Sequence, residues 1–222
     1  MTLAIDVRSR IRTEIFDYQT LTDALKDLSA PRDKITRLLR EGVIVRVKKG
    51  LYVFGDKYRR YPYSKELLAN LVYGPSYVSL DYALAHHGLI PERVEALTSV
   101  TPNRSRRFST PVGLCVYRQI PARAYEVGMI RAEGEHGQAF LMASPEKALA
   151  DKIVSVRGAP IASIGEMVRF LEEDLRIDAG AIRSLSPERI DEFAGRYRSL
   201  KLRRLSGHLR RLQRLKKVTP NE

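Results

Sequence analysis

At Gly42 the apolar pattern of the chain changes period, which makes a helix give way to strands. Before it, SAPRDKITRLLREG repeats at helical spacing: Ile35, Leu38 and Leu39 form one stripe, Pro31 suits a first turn, and Gly42 suits a helix end. After it, VIVRVKKGLYVF alternates, which predicts two short strands joined by a turn at Lys48, Lys49 and Gly50. With the stripe packed inward, the opposite helix face carries Asp33, Thr36, Arg37 and Arg40, flanked by Arg32 and Lys34. A shorter helix is expected at about 21–28, where Leu21, Leu25 and Leu28 share a face and Thr20 can cap. Segment 3–16 places Leu3, Val7, Ile11 and Ile15 at helical spacing as well. Two helices joined by a tight turn, the second basic outside, then a basic-tipped hairpin: this order predicts a winged helix-turn-helix over residues 1–60.

Charge is concentrated rather than spread. The 222 residues carry 39 Lys and Arg against 26 Asp and Glu, a formal net charge of +13. Residues 31–60 hold 10 basic and 3 acidic side chains, and residues 196–222 hold 10 and 1. Residues 61–195 are nearly neutral, with 15 against 17. Solubility needs neither so large a net charge nor clustering, so the two blocks point to a polyanionic partner. A helix fits the major groove of duplex DNA, where arginines such as Arg32, Arg37 and Arg40 can each donate two hydrogen bonds to guanine. Lysines at a hairpin tip reach phosphate. The segment DKYRRYPYSKELL follows, and its Tyr58, Arg59, Arg60, Tyr61 and Tyr63 suit either a phosphate backbone or a fastening between two domains.

Beyond residue 60 the pattern is mixed. Helices are expected at 64–73 and 79–87, with Ser79 and Asp81 opening the second and Gly88 ending it. VEALTSVT, LCVYRQI, EVGMIRAEG and GQAFLMA read as strands, the first two separated by a polar loop, PNRSRRFSTPVG. Ser144-Pro145-Glu146 opens a helix to about Val156, and the rest is helical, with breaks near Gly158-Ala159-Pro160, Asp178 and Ser186-Pro187. The whole chain is therefore expected to be α+β, its second domain (61–222) a mixed α+β unit with a helical tail. In the last helix, about 199–217, Leu202, Leu205, Leu209 and Leu212 recur every three or four residues, with Leu215 beside them. They dock the helix, while Arg203, Arg204, Arg210, Arg211, Arg214, Lys216 and Lys217 form a basic face open to nucleic acid or an acidic partner.

No catalytic constellation stands out. The patterns GxxxxGK[ST], GxGxxG, HExxH and GxSxG are absent. His86 and His87 are adjacent, so on a helix they diverge by about 100° and suit a helix end better than one metal. Cys115 is the single cysteine, which excludes an internal disulfide, and its apolar flanks indicate packing. Glu146 and Asp151 share a helix with Lys147 and Lys152 and read as surface ion pairs rather than a nuclease's carboxylate cluster. Neither a cofactor nor a metal site is expected. No apolar stretch approaches the ~20 residues of a membrane span, and the first residues lack a signal peptide's apolar region, so a cytoplasmic protein without a membrane partner is expected.

Taken together, RVKKGLYVF, YVSLDYALAHHGLIPE, TSVTPNRSRRFSTPVG, VYRQI and FLMASPEKALADKI resemble the AbiEi antitoxin family over about residues 15–160. These are the antitoxins of AbiE abortive-infection systems, which are type IV toxin–antitoxin modules used in phage defence. The resemblance implies a winged helix that binds inverted repeats in the operon's own promoter as a repressor. It also implies a C-terminal domain tied to antitoxicity, a nucleotidyltransferase-like toxin as functional partner, and a monomer, with direct toxin contact and cooperative binding left open. Carried onto this sequence, Arg32, Thr36, Arg37 and Arg40 become groove contacts and Arg46, Lys48 and Lys49 wing contacts; Lys34, Arg59 and Arg60 join them as DNA-binding candidates on their charge and position alone. The same residues also admit a stand-alone regulator with a ligand-sensing second domain, a DNA-targeted nuclease, or an RNA-binding protein.

Overall fold

Two hydrophobic clusters organise the chain, and one strand belongs to both. A computed structural model describes residues 2–156 and 161–218, and the chain is mixed α+β. The expected break near Gly158-Ala159-Pro160 and the side chains of Lys216 and Lys217 lie outside the described residues.

The first part of the chain runs α1 (Thr2–Arg10), β1 (Ile15–Asp17), α2 (Tyr18–Ala24), α3 (Pro31–Arg40), β2 (Ile44–Lys48) and β3 (Leu51–Phe54). Its sheet has the order β1-β3-β2, all antiparallel. Val7, Ile11, Leu21, Leu25, Ile35, Leu38, Tyr52 and Phe54 belong to its core. The helix expected across 3–16 stops at Arg10, and Ile15 sits in β1 instead, where pairing with Val53 of β3 satisfies the backbone. The next helix starts at Tyr18, and its cap is Asp17 rather than Thr20: the Asp17 carboxylate accepts the Thr20 N–H at 2.8 Å.

The second part comprises α4 (Lys65–Val72), β4 (Tyr77–Val78), α5 (Leu80–His86), β5 (Leu97–Thr101), β6 (Arg106–Thr110), β7 (Gly113–Gln119), α6 (Ala122–Tyr125), β8 (Met129–Glu133), β9 (Ala139–Ala143), α7 (Pro145–Ser155), α8 (Ile164–Arg169), a π-helical turn (Phe170–Asp174), α9 (Ala179–Ser184), α10 (Pro187–Tyr197) and α11 (Leu200–Val218). Its mixed sheet has the order β6-β7-β5-β4-β9-β8. The sheet is covered on both faces: the Tyr117 hydroxyl donates to the Ala69 carbonyl of α4 at 2.6 Å, while Thr98, facing the other way, donates to the Ser79 carbonyl at 2.7 Å. β6 lies within the segment expected as a polar loop. In α11 Leu202, Leu205 and Leu209 are fully buried and Leu212 half-buried, whereas Leu215 is 57% exposed and outside that seam. Among the described residues no helix is long and apolar enough to cross a membrane.

β3 joins the two clusters. Its Tyr52 and Phe54 point into the first core, and Leu51 and Val53, with Val47, into the second. All four residues of β3 are buried, as a strand covered on both faces must be.

The surface ion pairs expected on α7 are overturned. Lys147 and Asp151 side chains are both 0% exposed. The Lys147 ammonium donates to Asp151 Oδ1 and lies 3.0 Å from Tyr197 Oη, and the Tyr197 hydroxyl donates to the same carboxylate oxygen at 2.6 Å. Ser79 Oγ donates to Asp151 Oδ2 at 2.7 Å, and Tyr77 Oη lies 3.4 Å from it. The ammonium is also 4.6 Å from the centre of the Tyr197 ring and 5.6 Å from that of Phe193. Burial depresses the Lys147 pKa against the opposing pull of Asp151, and it pushes the Tyr77 and Tyr197 hydroxyls upward. This network ties α7 to β4, the start of α5 and α10. Glu146 is likewise buried, bonded to Ser144 and Arg189, while Lys152 pairs with Asp81 at 2.6 Å nearer the surface.

Candidate nucleic-acid interface

α3 begins without a side-chain cap: Ala30 adopts a left-handed conformation (φ 51°), and Pro31 supplies the first turn. Its end is a Schellman closure, in which Val43 N–H bonds the Leu38 carbonyl at 2.9 Å and Gly42 N–H the Leu39 carbonyl at 3.2 Å. Gly42 takes φ +67°, which explains the glycine. Gly55 is required for a different reason: a Cβ there would stand 2.1 Å from the Gly42 carbonyl oxygen. These contacts fix where α3 leaves off and the β2–β3 hairpin starts.

The expected stripe is where it should be, with Ile35 and Leu38 buried and Leu39 half-buried against the first core. Opposite it, Arg32, Thr36, Arg37 and Arg40 are exposed and Lys34 half-buried. Arg32, Lys34 and Arg40 make no ion pair or side-chain hydrogen bond among the described residues. Arg37 is engaged: its Nε donates to Glu41 Oε1 at 2.7 Å, which holds the Glu41 carboxyl below its ordinary range. The Thr36 hydroxyl donates back to the Arg32 carbonyl at 3.1 Å.

The hairpin and linker cations divide in the same way. Arg46 and Lys49 are exposed and carry no ion pair among the described residues. Lys48, expected at the tip, follows a bulge between Arg46 and itself, and its ammonium donates to the Val72 carbonyl at the end of α4 at 2.5 Å. That bond directs Lys48 toward the second part of the chain instead of outward. Arg59 pairs with Asp56 at 3.2 Å and lies 5.7 Å from the Tyr63 ring centre. The Arg60 guanidinium donates to the Arg8 carbonyl at 3.1 Å, and its backbone N–H bonds Glu14. Arg60 therefore fastens the linker to the first part of the chain, whereas the contacts of Arg59 stay within the linker.

On α11, Arg204 donates to the Ile161 carbonyl at 2.9 Å and Arg210 pairs with Asp191 at 2.5 Å, which leaves Arg203, Arg211 and Arg214 exposed. A third basic group was hidden by averaging charge over 61–195. Arg104, Arg106, Arg107 and Arg118 lie on or beside the β6–β7 hairpin, exposed and without ion pairs among the described residues. Its readable signal is NRSRR at 103–107, followed directly by Phe108. His86 and His87 do close α5, with His87 Nε2 2.8 Å from the Ala143 carbonyl, and Cys115 is buried in β7. The arrangement offers solvent-facing guanidinium groups on a rigid helix, which can form paired hydrogen bonds to planar acceptors and to phosphate.

The sequence matches no protein-family model and no curated protein.

Proposed function

We propose that this chain is a sequence-specific repressor of its own operon that binds duplex DNA through a winged helix-turn-helix at residues 1–60, and an antitoxin against a nucleotidyltransferase-like toxin. The observation that carries the DNA half is the outer face of α3, where Arg32 and Arg40 stand uncommitted on a helix whose opposite stripe is sealed in a core. Arg46 and Lys49 add uncommitted charge on the following hairpin. In this reading Arg32, Arg37 and Arg40 read base edges, with Arg37 exchanging Glu41 for its target, and Arg46 and Lys49 contact phosphate. The antitoxin half rests on the resemblance to AbiEi proteins, as do the inverted repeats and the monomeric state. The protein acts by binding rather than catalysis: Asp151 and Lys147, a carboxylate and lysine of the kind a nuclease uses, neutralise each other in the core.

A gel-shift titration on the DNA upstream of the gene, against random duplex of equal length at near-physiological salt, tests the repressor half. The expected preference is about 10³-fold or more. Equal, salt-sensitive binding to both duplexes would overturn it. For the antitoxin half, the expected result is growth rescue of cells expressing the toxin of the same operon; continued growth arrest would remove it.

A further inference from the structure

Between the hairpin and α4 the linker closes one side of an open cavity of about 340 Å³. The linker is held there by Gln138, whose side-chain amide accepts the Ser64 N–H at 2.8 Å and donates to the Pro62 carbonyl at 2.9 Å. Tyr61 stacks on His136 with ring centres 4.5 Å apart. The volume, and the walls drawn from the linker, α4, α5 and the β8–β9 connection, are those of a small-ligand site.

The walls have a definite chemistry. Tyr63, His86 and Phe140 present rings, and Glu66 and Glu135 present carboxylates. Glu66 is half-buried and bonded to the Tyr82 and Ser64 hydroxyls, contacts that favour its ionised form against burial. No cation lies within ion-pairing distance of Glu66 or Glu135 among the described residues; the exposed Lys65 is at the rim. In a chain of net charge +13, the half-buried Glu66 has no charged neighbour in this cavity's wall beyond the His86 imidazole and the rim Lys65, with the exposed Glu135 beside it, and a half-buried anion gains most from a partner of opposite charge. Tyr63 already holds one guanidinium near its ring, that of Arg59 at 5.7 Å, outside the cavity's lining, and the ring walls of the cavity suit the same kind of contact.

We infer that the cavity binds a small organic cation with a planar body, its amidinium or ammonium group on Glu66 and Glu135 and its ring between Tyr63, His86 and Phe140. Since Pro62, Tyr63 and Ser64 form one wall, such a ligand touches the segment that carries the proposed DNA-reading unit. Any effect on operator binding rests on the repressor reading; ligand binding itself does not, so the two fail separately.

The test uses the full chain and three probes of one shape: benzamidine, neutral benzamide and anionic benzoate, followed by calorimetry and amide NMR. Benzamidine should bind saturably, shift the Ser64 and Gln138 amides, and bind at least about tenfold more tightly than benzamide, with benzoate not binding. Glu66→Gln, whose amide oxygen still accepts from one of the Ser64 and Tyr82 hydroxyls while its NH2 donates to the other, should weaken benzamidine about tenfold. Glu135→Arg lies on an exposed turn, leaves the fold intact and should weaken it as well. Equal affinity for the three probes, absence of saturable benzamidine binding, or full affinity in either folded variant would overturn the proposal.

Discussion

Replacing Lys147 with methionine separates a buried charge pair from a surface one by magnitude alone. An exposed i,i+4 pair contributes about 0–1 kcal/mol, so its loss would be hard to measure. In the structure, Lys147→Met leaves the Asp151 carboxylate with hydroxyl donors from Ser79, Tyr197 and Tyr77 but without its counter-charge, at a site closed to water. Removing one partner of a buried pair costs about 3–5 kcal/mol. For a chain of this size each kcal/mol moves the midpoint by about 2–4 °C, which gives a fall of roughly 6–20 °C. The second variant is Lys147→Met with Asp151→Leu, which removes both charges. It should lose less than either single substitution, because no orphaned charge remains. Urea unfolding followed by circular dichroism, with calorimetry for the midpoint, measures both. A single-variant cost below about 1 kcal/mol, or a double variant equal to the sum of the singles, would refute a desolvated, mutually dependent pair.

Further outcomes are expected for the basic residues, the buried histidines and the hairpin junction. Arg40→Ala should cost roughly 1–3 kcal/mol on the operator and much less on random duplex; neutralising Arg46 and Lys49 together should flatten the salt dependence by about two units, whereas Lys48→Ala, already bonded to Val72, should leave the slope unchanged in gel shifts. Burial lowers the pKa of His87 below the ordinary 6.5, with His86 adding to and Glu146 opposing the shift, and burial lowers that of His208 too. The unfolded chain then takes up protons first, so stability should fall as pH drops below about 6.5, and His87→Gln should reduce the difference in melting midpoint between about pH 7.5 and 5.5. Gly55→Ala brings a methyl against the Gly42 carbonyl and should cost about 2–3 kcal/mol in chemical denaturation; an unchanged midpoint would show that the junction of hairpin and α3 relaxes freely.

Where local rules and tertiary packing agreed, the sequence was readable. The inward stripe of α3, its stop at Gly42, and the serine-proline starts of α7 and α10 are local, since Ser144 and Ser186 each accept the N–H three residues on. β6 was unreadable because an edge strand with arginines outside lacks an apolar alternation; its register exists only through β7. β4, two residues long, is specified by its neighbours β5 and β9 and not by its own pattern. Ile15 fits a helical spacing equally well, and pairing with Val53 decided against it. The misread of Lys147 has a different cause. A lysine and an aspartate four apart look like a surface pair, but Ala148, Leu149, Ala150 and Ile153 leave that helix apolar on nearly every side. A helix of that kind is covered all round, and its charges must then pair inside.

The same reasoning limits what a basic segment can be taken to mean. A cation bonded within the fold must give up that partner before it contacts phosphate, so only uncommitted side chains add their full counter-ion release on binding. By that criterion the block 31–60 contributes Arg32, Lys34, Arg40, Arg46, Lys49 and Lys57, while Arg37 and Arg59 are engaged in local ion pairs and Lys48 and Arg60 hold the hairpin and linker to their neighbours. Those fastenings have a consequence for recognition. With β3 buried between both clusters, and Lys48 bonded to the end of α4, the helix carrying Arg32 and Arg40 is braced against the body of the second sheet. Docking α3 in a groove would therefore also fix the positions of the arginines on the β6–β7 hairpin and on α11. On the repressor reading, the packing around β3 would set the length of DNA contacted, and loosening Leu51 or Val53 should alter it without touching a single basic residue.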